Sequence, residues 1–107
     1  MLVVQNRLIA PLVMGQRVEQ GFAHSTTSMK SIAGFVDFRL LRMEGQPQGV
    51  EEGEILYIAE TTWRDREAYE AWRDSDAFSR AHSGPNAGSG SPLKSRLEVF
   101  ESVLETV

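Results

Sequence analysis

Residues 54–72 of the sequence, EILYIAETTWRDREAYEAW, join a strand pattern directly to a helix pattern. From Glu54 to Trp63 the apolar side chains fall on alternate faces, which is typical of a β-strand. Asp65 then stands at the position of a helix N-cap, and Glu67 in the first turn suits the positive end of the helix dipole. An apolar stripe follows, made of Ala68, Tyr69 and Trp72. The stretch therefore predicts a strand followed by an amphipathic helix.

The segments on either side of this stretch complete a pattern of strands and helices. Upstream, the predicted elements are a strand over Leu2–Ile9, a helix from Leu12 to about Ser31 and a strand over Phe35–Met43. Downstream, they are a short helix opened by Ser75 and Asp76 and ending at His82, a loop over Ser83–Pro92 and a strand over Leu97–Val103.

The order of these elements is β-α-β-β-α-β, which is the ferredoxin-like α+β arrangement. A chain of 107 residues suits one domain, so we expect residues 1–107 to form a single unit. Helices cover one face of such a sheet and leave the other bare. Two copies packed sheet to sheet would cover that face, and we therefore expect a homodimer built as an α+β barrel.

Composition excludes several classes of function. The formal net charge is −4 and no stripe of Lys or Arg is present, which argues against nucleic acid as a partner. The sequence has no cysteine, so disulfides, thiolate nucleophiles and cysteine-based metal sites are excluded. The start of the chain lacks a signal-peptide pattern, and no apolar run approaches the ~20 residues of a membrane span. We expect a cytoplasmic protein with no membrane contact.

Four residues could carry chemistry, and each also has an ordinary structural explanation. His24 fits an exposed position on the first helix, and His82 fits either a helix-end cap or a functional role. Trp72 alone fits a core aromatic residue. Asn6 is unusual inside a strand, so it either faces solvent at a sheet edge or donates a hydrogen bond into a pocket.

Three groups of residues carry a resemblance to a known family. They are Asn6–Leu8; Phe22-Ala23 with Gly34–Arg42; and Trp63–Trp72 with Ser75–Phe78 and Ala81-His82. Together they resemble the bacterial haem-degrading monooxygenases of the IsdG type, within the antibiotic biosynthesis monooxygenase superfamily. The resemblance covers nearly the whole chain and leaves out the loop after Arg42.

The resemblance implies a set of roles. His82 would be the proximal ligand of the haem iron, Asn6 a hydrogen-bond donor on the distal side, and Trp72 a side chain that presses on the porphyrin and distorts it. Phe22 would line the pocket, or alternatively belong to the ordinary core. Haem would be both cofactor and substrate, O₂ the oxidant, and an external electron donor, supplied by an unidentified reductase, would provide electrons. Family members are homodimers.

One further expectation and one difference from relatives concern the rim of this pocket. Lys94 or Arg96, with the loop after His82, are candidates to bind the haem propionates. Where close relatives can carry a basic residue after Phe-Ala-His on the first helix, this chain has Ser25.

Other functions compete with haem degradation. A cofactor-free monooxygenase of the same superfamily, acting on an aromatic or quinol substrate, would share the fold and much of the helix motif but would not need His82. A haem-storage or haem-sensing protein would bind haem without turnover. A purely structural dimer would bind none.

Overall fold

In a computed structural model of the chain, residues 1–75 and 94–106 are described. The strands are β1 (Leu2–Pro11), β2 (Phe35–Arg42), β3 (Glu54–Trp63) and β4 (Lys94–Glu101), and the α-helices are α1 (Gly15–Ser25) and α2 (Arg66–Arg73). Single 3₁₀ turns lie at Leu12–Met14 and Met29–Ser31. The strands form one sheet in the order β2-β3-β1-β4, with every neighbouring pair antiparallel. The α+β ferredoxin-like fold is thus confirmed.

The strand and helix of residues 54–72 form as predicted. β3 spans Glu54–Trp63, and Trp63 at its end is fully buried. The Asp65 carboxylate accepts a hydrogen bond from the backbone N–H of Ala68 at 2.9 Å, which satisfies one of the free donors in the first turn of α2. This stretch folds as its local pattern indicates because the Asp65 cap, the acidic first turn and the apolar stripe all favour a helix that begins after Asp65.

The first helix is shorter than the sequence pattern predicts. The prediction of a helix from Leu12 to about Ser31 is wrong at both ends, because α1 covers only Gly15–Ser25. The hydroxyl and the backbone N–H of Thr26 both bond to the Phe22 carbonyl, at 2.6 and 3.1 Å. The Thr27 hydroxyl bonds to the His24 carbonyl at 3.0 Å, which a continued helix would bond to the backbone N–H of Ser28. Val13, expected on the apolar side of this helix, lies before α1 and is 91% exposed.

The last strand is displaced from its predicted bounds. β4 covers Lys94–Glu101 instead of Leu97–Val103, because its register follows β1 from Ile9↔Lys94 to Leu2↔Glu101. The strand therefore ends where β1 begins. The predicted short helix ending at His82 and the loop after it lie outside the described residues.

Two separate apolar clusters lie between the sheet and the helices. The α2 cluster consists of Leu2, Val4, Met29, Trp63 and Tyr69, with Ile32, Phe35, Ala68 and Trp72 packed against it. The α1 cluster consists of Leu8, Ala10, Val18, Ile55 and Tyr57, with Phe22, Leu40 and Met43 packed against it. Each helix is thus attached at a different end of the same inner strands.

The opposite face of the sheet carries a polar network at its centre. Glu60 on β3 is only 7% exposed, and its carboxylate accepts hydrogen bonds from Gln5 on β1 at 2.8 Å and from Arg39 on β2 at 2.7 Å. Burial raises the pKa of Glu60, but the hydrogen bonds from Gln5 and Arg39 outweigh it, so the pKa lies below its usual value. Glu60 is therefore ionised and paired at neutral pH.

Two glycines provide a matched test of this packing. Gly34 has φ +81°, and a Cβ there would lie 2.3 Å from the Ala68 Cβ on α2. We expect Gly34→Ala to lower the free energy of unfolding by about 2–4 kcal/mol. An alanine with positive φ has a strained backbone, and its Cβ would overlap the Ala68 Cβ. At Gly21 in α1, by contrast, a Cβ would meet no atom within 4 Å outside the helix's own backbone.

Gly21→Ala serves as the control, and we expect it to raise stability by about 0.5–1 kcal/mol through helix propensity. Urea unfolding of both variants measures the difference. Equal effects of the two substitutions would contradict the close contact between the turn at Gly34 and α2.

Candidate functional site

Asn6 lies at the centre of the helix-covered face of the sheet. Its neighbours on that face of β1 are the buried residues Leu2, Val4, Leu8 and Ala10, so Asn6 is a polar residue in an apolar stripe. β1 is an inner strand, and the alternative of a sheet-edge position is therefore wrong. The side chain is half-buried, and within the described part of the chain its amide makes no hydrogen bond.

Asn6 belongs to a row of residues between the two apolar clusters. Across the sheet it pairs with Ala59 on β3 and Leu97 on β4, and we call Ala59, Asn6 and Leu97 the central row. None of the three belongs to the α1 cluster or the α2 cluster. Leu97 is 56% exposed although it lies on the helix-covered face. The central row therefore lies between the two packed regions, and we call the region above it on the helix-covered face the gap.

Aromatic side chains from both helices lie beside this gap. Phe22 on α1 is half-buried and stacks on Phe38 of β2, with ring centroids 5.8 Å apart and an interplanar angle of 23°. Trp72 on α2 is half-buried and packs on Trp63, with centroids 5.3 Å apart. Both residues thus lie at the margin of the core, Phe22 against the α1 cluster and Trp72 against the α2 cluster.

Of the two histidines, only His24 lies in the described part of the chain. His82, the residue predicted to bind iron, lies outside the described residues. His24 is exposed on α1, and its backbone carbonyl accepts a hydrogen bond from the Thr27 hydroxyl at 3.0 Å. In residues 1–75 and 94–106 no group of three or more His, Cys, Asp or Glu side chains could hold a metal ion.

The expected propionate-binding residues on β4 face the wrong way. Lys94 and Arg96 alternate with Leu97, so they lie on the face of the sheet opposite to Asn6. The Lys94 ammonium pairs instead with the Glu54 carboxylate at 3.2 Å. That expectation is wrong because the register of β4 on β1 could not be read from the sequence.

A polar cluster beside the gap was missed in the sequence. The Tyr57 hydroxyl on β3 lies 2.5 Å from the Glu19 carboxylate on α1 and 3.2 Å from the Gly15 carbonyl, and Arg42 on β2 donates to the same carboxylate at 3.0 Å. These residues are separated along the chain, and the only sequence signal was the position of Tyr57 on an inward face. With Leu40 they line a surface cavity of about 250 Å³.

The protonation states within this cluster follow from its contacts. Burial, with the hydrogen bond and charge of Glu19, raises the pKa of Tyr57 to about 12. The hydrogen bond from Tyr57, followed by the contribution of Arg42, lowers the pKa of Glu19 despite its partial desolvation. At neutral pH the phenol is therefore protonated and donates its hydrogen to an ionised carboxylate.

The whole arrangement suits a flat, largely apolar ligand. The central row offers apolar floor atoms and one amide, and rings on either side can pack against a planar molecule. An amide N–H can donate a hydrogen bond without titrating near neutral pH.

The described residues contain no helix long and apolar enough to cross a membrane.

Comparison with known proteins places this chain in a family. The sequence matches the antibiotic biosynthesis monooxygenase family over residues 1–84. Over 100 residues it is 34% identical to a Mycobacterium tuberculosis heme oxygenase described as mycobilin-producing, covering 94% of this chain and 87% of that protein.

Two solved structures are also similar. The heme-degrader MhuD of Mycobacterium tuberculosis, with two hemes bound in its active site, superposes with a TM-score of 0.67 at 30% identity, covering 98% of this chain and 99% of that one. SnoaB of Streptomyces nogalater, a cofactor-independent oxygenase, gives a TM-score of 0.67 at 18% identity over 97% and 95% of the two chains, which shows a shared fold. The chain therefore belongs to the antibiotic biosynthesis monooxygenase family.

Proposed function

We propose that this protein is a haem-degrading monooxygenase of the IsdG type, which binds haem through His82 and oxidatively opens the porphyrin with O₂ and an external reductant, releasing iron. The observation that carries the proposal is the half-buried amide of Asn6, which makes no hydrogen bond in the described part of the chain and lies in the central row, between the α1 cluster and the α2 cluster. The 34% identity to a heme oxygenase over 94% of the chain supports it.

The described residues fit a porphyrin. A planar macrocycle needs apolar surface on its faces and edges, which Phe22, Trp72 and Leu97 offer. When bound, haem supplies an iron centre that activates O₂ next to the ring to be cleaved. His82 would hold the iron from the proximal side, and its neutral imidazole is a ligand well suited to that role.

The protein's own residues would direct this chemistry in two ways. The Asn6 amide would donate a hydrogen bond on the distal side, and would do so at any pH near neutrality because it does not titrate. The Trp72 indole, backed by Trp63 and Tyr69 at 5.3 and 6.4 Å between ring centroids, is held firmly enough to press on a porphyrin. Distortion of the macrocycle is one means by which a protein tunes haem.

A second candidate function is that of a cofactor-free oxygenase acting on an aromatic or quinol substrate. The fold shared with SnoaB favours it, and the aromatic walls beside Asn6 would also accept such a substrate. This candidate does not need His82, whereas haem degradation does. Substitution of His82 therefore separates the two.

We also propose that the protein acts in the cytoplasm as a homodimer, and that an unidentified reductase supplies its electrons. The sheet face away from the helices bears apolar side chains, with Leu41 39% and Phe100 46% exposed in the single chain. Glu60, already paired with Gln5 and Arg39, can be covered on that face without leaving an unpaired charge.

Haemin titration tests the proposed ligand. We expect the wild-type protein to bind haemin with a sharp Soret band, and His82→Ala to lose that band because the iron loses its proximal nitrogen. The chain has two histidines, so His24→Ala is the matched control and should leave the spectrum unchanged. A His82→Ala spectrum identical to the wild type would refute the assigned ligand, and a wild type that binds no haemin would favour the cofactor-free oxygenase.

Turnover under air with ascorbate tests Asn6. We expect Asn6→Ala to keep haemin but to bleach its Soret band about 100-fold more slowly, because a donor positioned for the reaction is lost. Gln5→Ala removes a neighbouring amide from the opposite face and should leave the rate of bleaching nearly unchanged. Equal rates in Asn6→Ala and the wild type would contradict the distal role. Persistence of the wild-type Soret band would instead indicate haem storage.

Light scattering coupled to size-exclusion chromatography tests the dimer. We expect the wild type to have twice the 11.9 kDa mass of one chain. Phe100→Glu should shift it to a single chain because it buries an unpaired charge between the sheets. Leu97→Glu, on the helix-covered face of the same strand, should remain dimeric. A monomeric wild type, or a dimeric Phe100→Glu variant, would count against this interface.

A further inference from the structure

The cluster formed by Tyr57, Glu19 and Arg42 joins α1 to two strands of the sheet. Tyr57 contributes from β3 and Arg42 from β2, and both donate hydrogen bonds to the one carboxylate of Glu19, at 2.5 and 3.0 Å. The hydrogen bond from the buried Tyr57 phenol to the ionised carboxylate is charge-assisted and stronger than a neutral one, whereas the exposed Arg42 adds a weaker, solvent-screened ion pair. The cluster therefore holds α1 more firmly than apolar packing alone would.

The approach of α1 to the Tyr57 phenol is unusually close. The Gly15 carbonyl lies 3.2 Å from the Tyr57 hydroxyl, and a Cβ on Gly15 would come within 2.9 Å of the same oxygen. Any side chain at position 15 would push the helix or the ring away. Glycine is unfavourable in a helix, and here its lack of a side chain is what allows the first turn of α1 to rest on the phenol.

The same helix carries one wall of the proposed haem site. Phe22 follows Glu19 by three residues, so the two side chains lie on neighbouring positions of one helix face. Phe22 contacts the α1 cluster and stacks on Phe38, beside the central row. A shift of α1 relative to β2 and β3 would therefore move Phe22 with respect to Asn6.

We propose that Tyr57, Glu19 and Arg42 are positioning residues, which fix α1 on the sheet and thereby set the width of the gap between Phe22 and the central row into which haem inserts. This inference rests on the proposed function, since it assigns the residues that shape the same site. It predicts that loosening the cluster alters haem binding even though none of the three residues needs to touch haem.

Three variants and one control test the assignment. Tyr57→Phe removes only the hydroxyl, Glu19→Gln keeps a weaker acceptor, and Glu19→Ala removes the acceptor altogether. Ile55→Val is the matched control, because Ile55 belongs to the same α1 cluster but makes none of these hydrogen bonds, and loss of one methylene lowers stability modestly. Urea unfolding, amide hydrogen exchange of α1 without haemin, and the haemin dissociation constant are measured for each.

We expect Tyr57→Phe and Glu19→Ala to weaken haemin binding about tenfold, to shift the Soret maximum and to speed exchange in α1, with Glu19→Gln intermediate. Ile55→Val should lose stability while keeping the wild-type haemin affinity and spectrum. The positioning role would be overturned if haemin affinity fell in proportion to overall stability in all four variants. Wild-type haemin affinity in Tyr57→Phe would also overturn it. If Tyr57→Phe does not fold, wild-type haemin affinity in Glu19→Ala has the same meaning. A wild type that binds no haemin would overturn the proposed function and this assignment together.

Discussion

One amide divides the core of this protein in two. The helix-facing side of β1 is apolar at Leu2, Val4, Leu8 and Ala10 and polar only at Asn6. Covering that amide completely without a partner would cost about 1–3 kcal/mol, so the apolar clusters form on either side of it. Each helix packs on one cluster, and the floor between them stays accessible. The site is thus a consequence of where β1 places a single polar side chain.

Each helix is attached to the sheet by specific contacts. At one end, Trp63 is fully buried against Trp72 and Tyr69, and the positive φ of Gly34 lets the turn before β2 lie directly against Ala68. At the other end, Gly15 and Glu19 bring α1 onto Tyr57. Aromatic packing thus holds one wall, and charge-assisted hydrogen bonds hold the other. β3 contributes to both attachments, through Trp63 at one end and Tyr57 at the other.

Local sequence signals predicted much of the fold. The bounds of β3 and the Asp65 cap follow from neighbouring residues, and both are confirmed. The end of α1 was mispredicted because the Thr27 hydroxyl bonds to the His24 carbonyl in place of the backbone N–H that would continue the helix, an effect that apolar periodicity does not register. Strand order could not be read locally, yet it decides that Asn6 lies on an inner strand.

The pairing register of the strands likewise could not be read from the sequence, and it decides which residues reach the candidate site. Pairing of β4 with β1 turns Lys94 and Arg96 away from Asn6, and the contact of Tyr57 with Glu19 joins residues that are 38 positions apart. Asn6, Phe22 and Trp72 could be chosen from the sequence through family resemblance, whereas the cluster that fixes α1 needed the three-dimensional arrangement. The role assigned to His82 remains a prediction.

A crystal structure of the protein with haemin tests the central claim most directly. We expect a porphyrin over the central row, in contact with Asn6 and bounded by Phe22 and Trp72, with its iron bound to His82. A porphyrin lying on the opposite face against Gln5 and Glu60, or confined to the cavity beside Glu19 and Arg42, would contradict it.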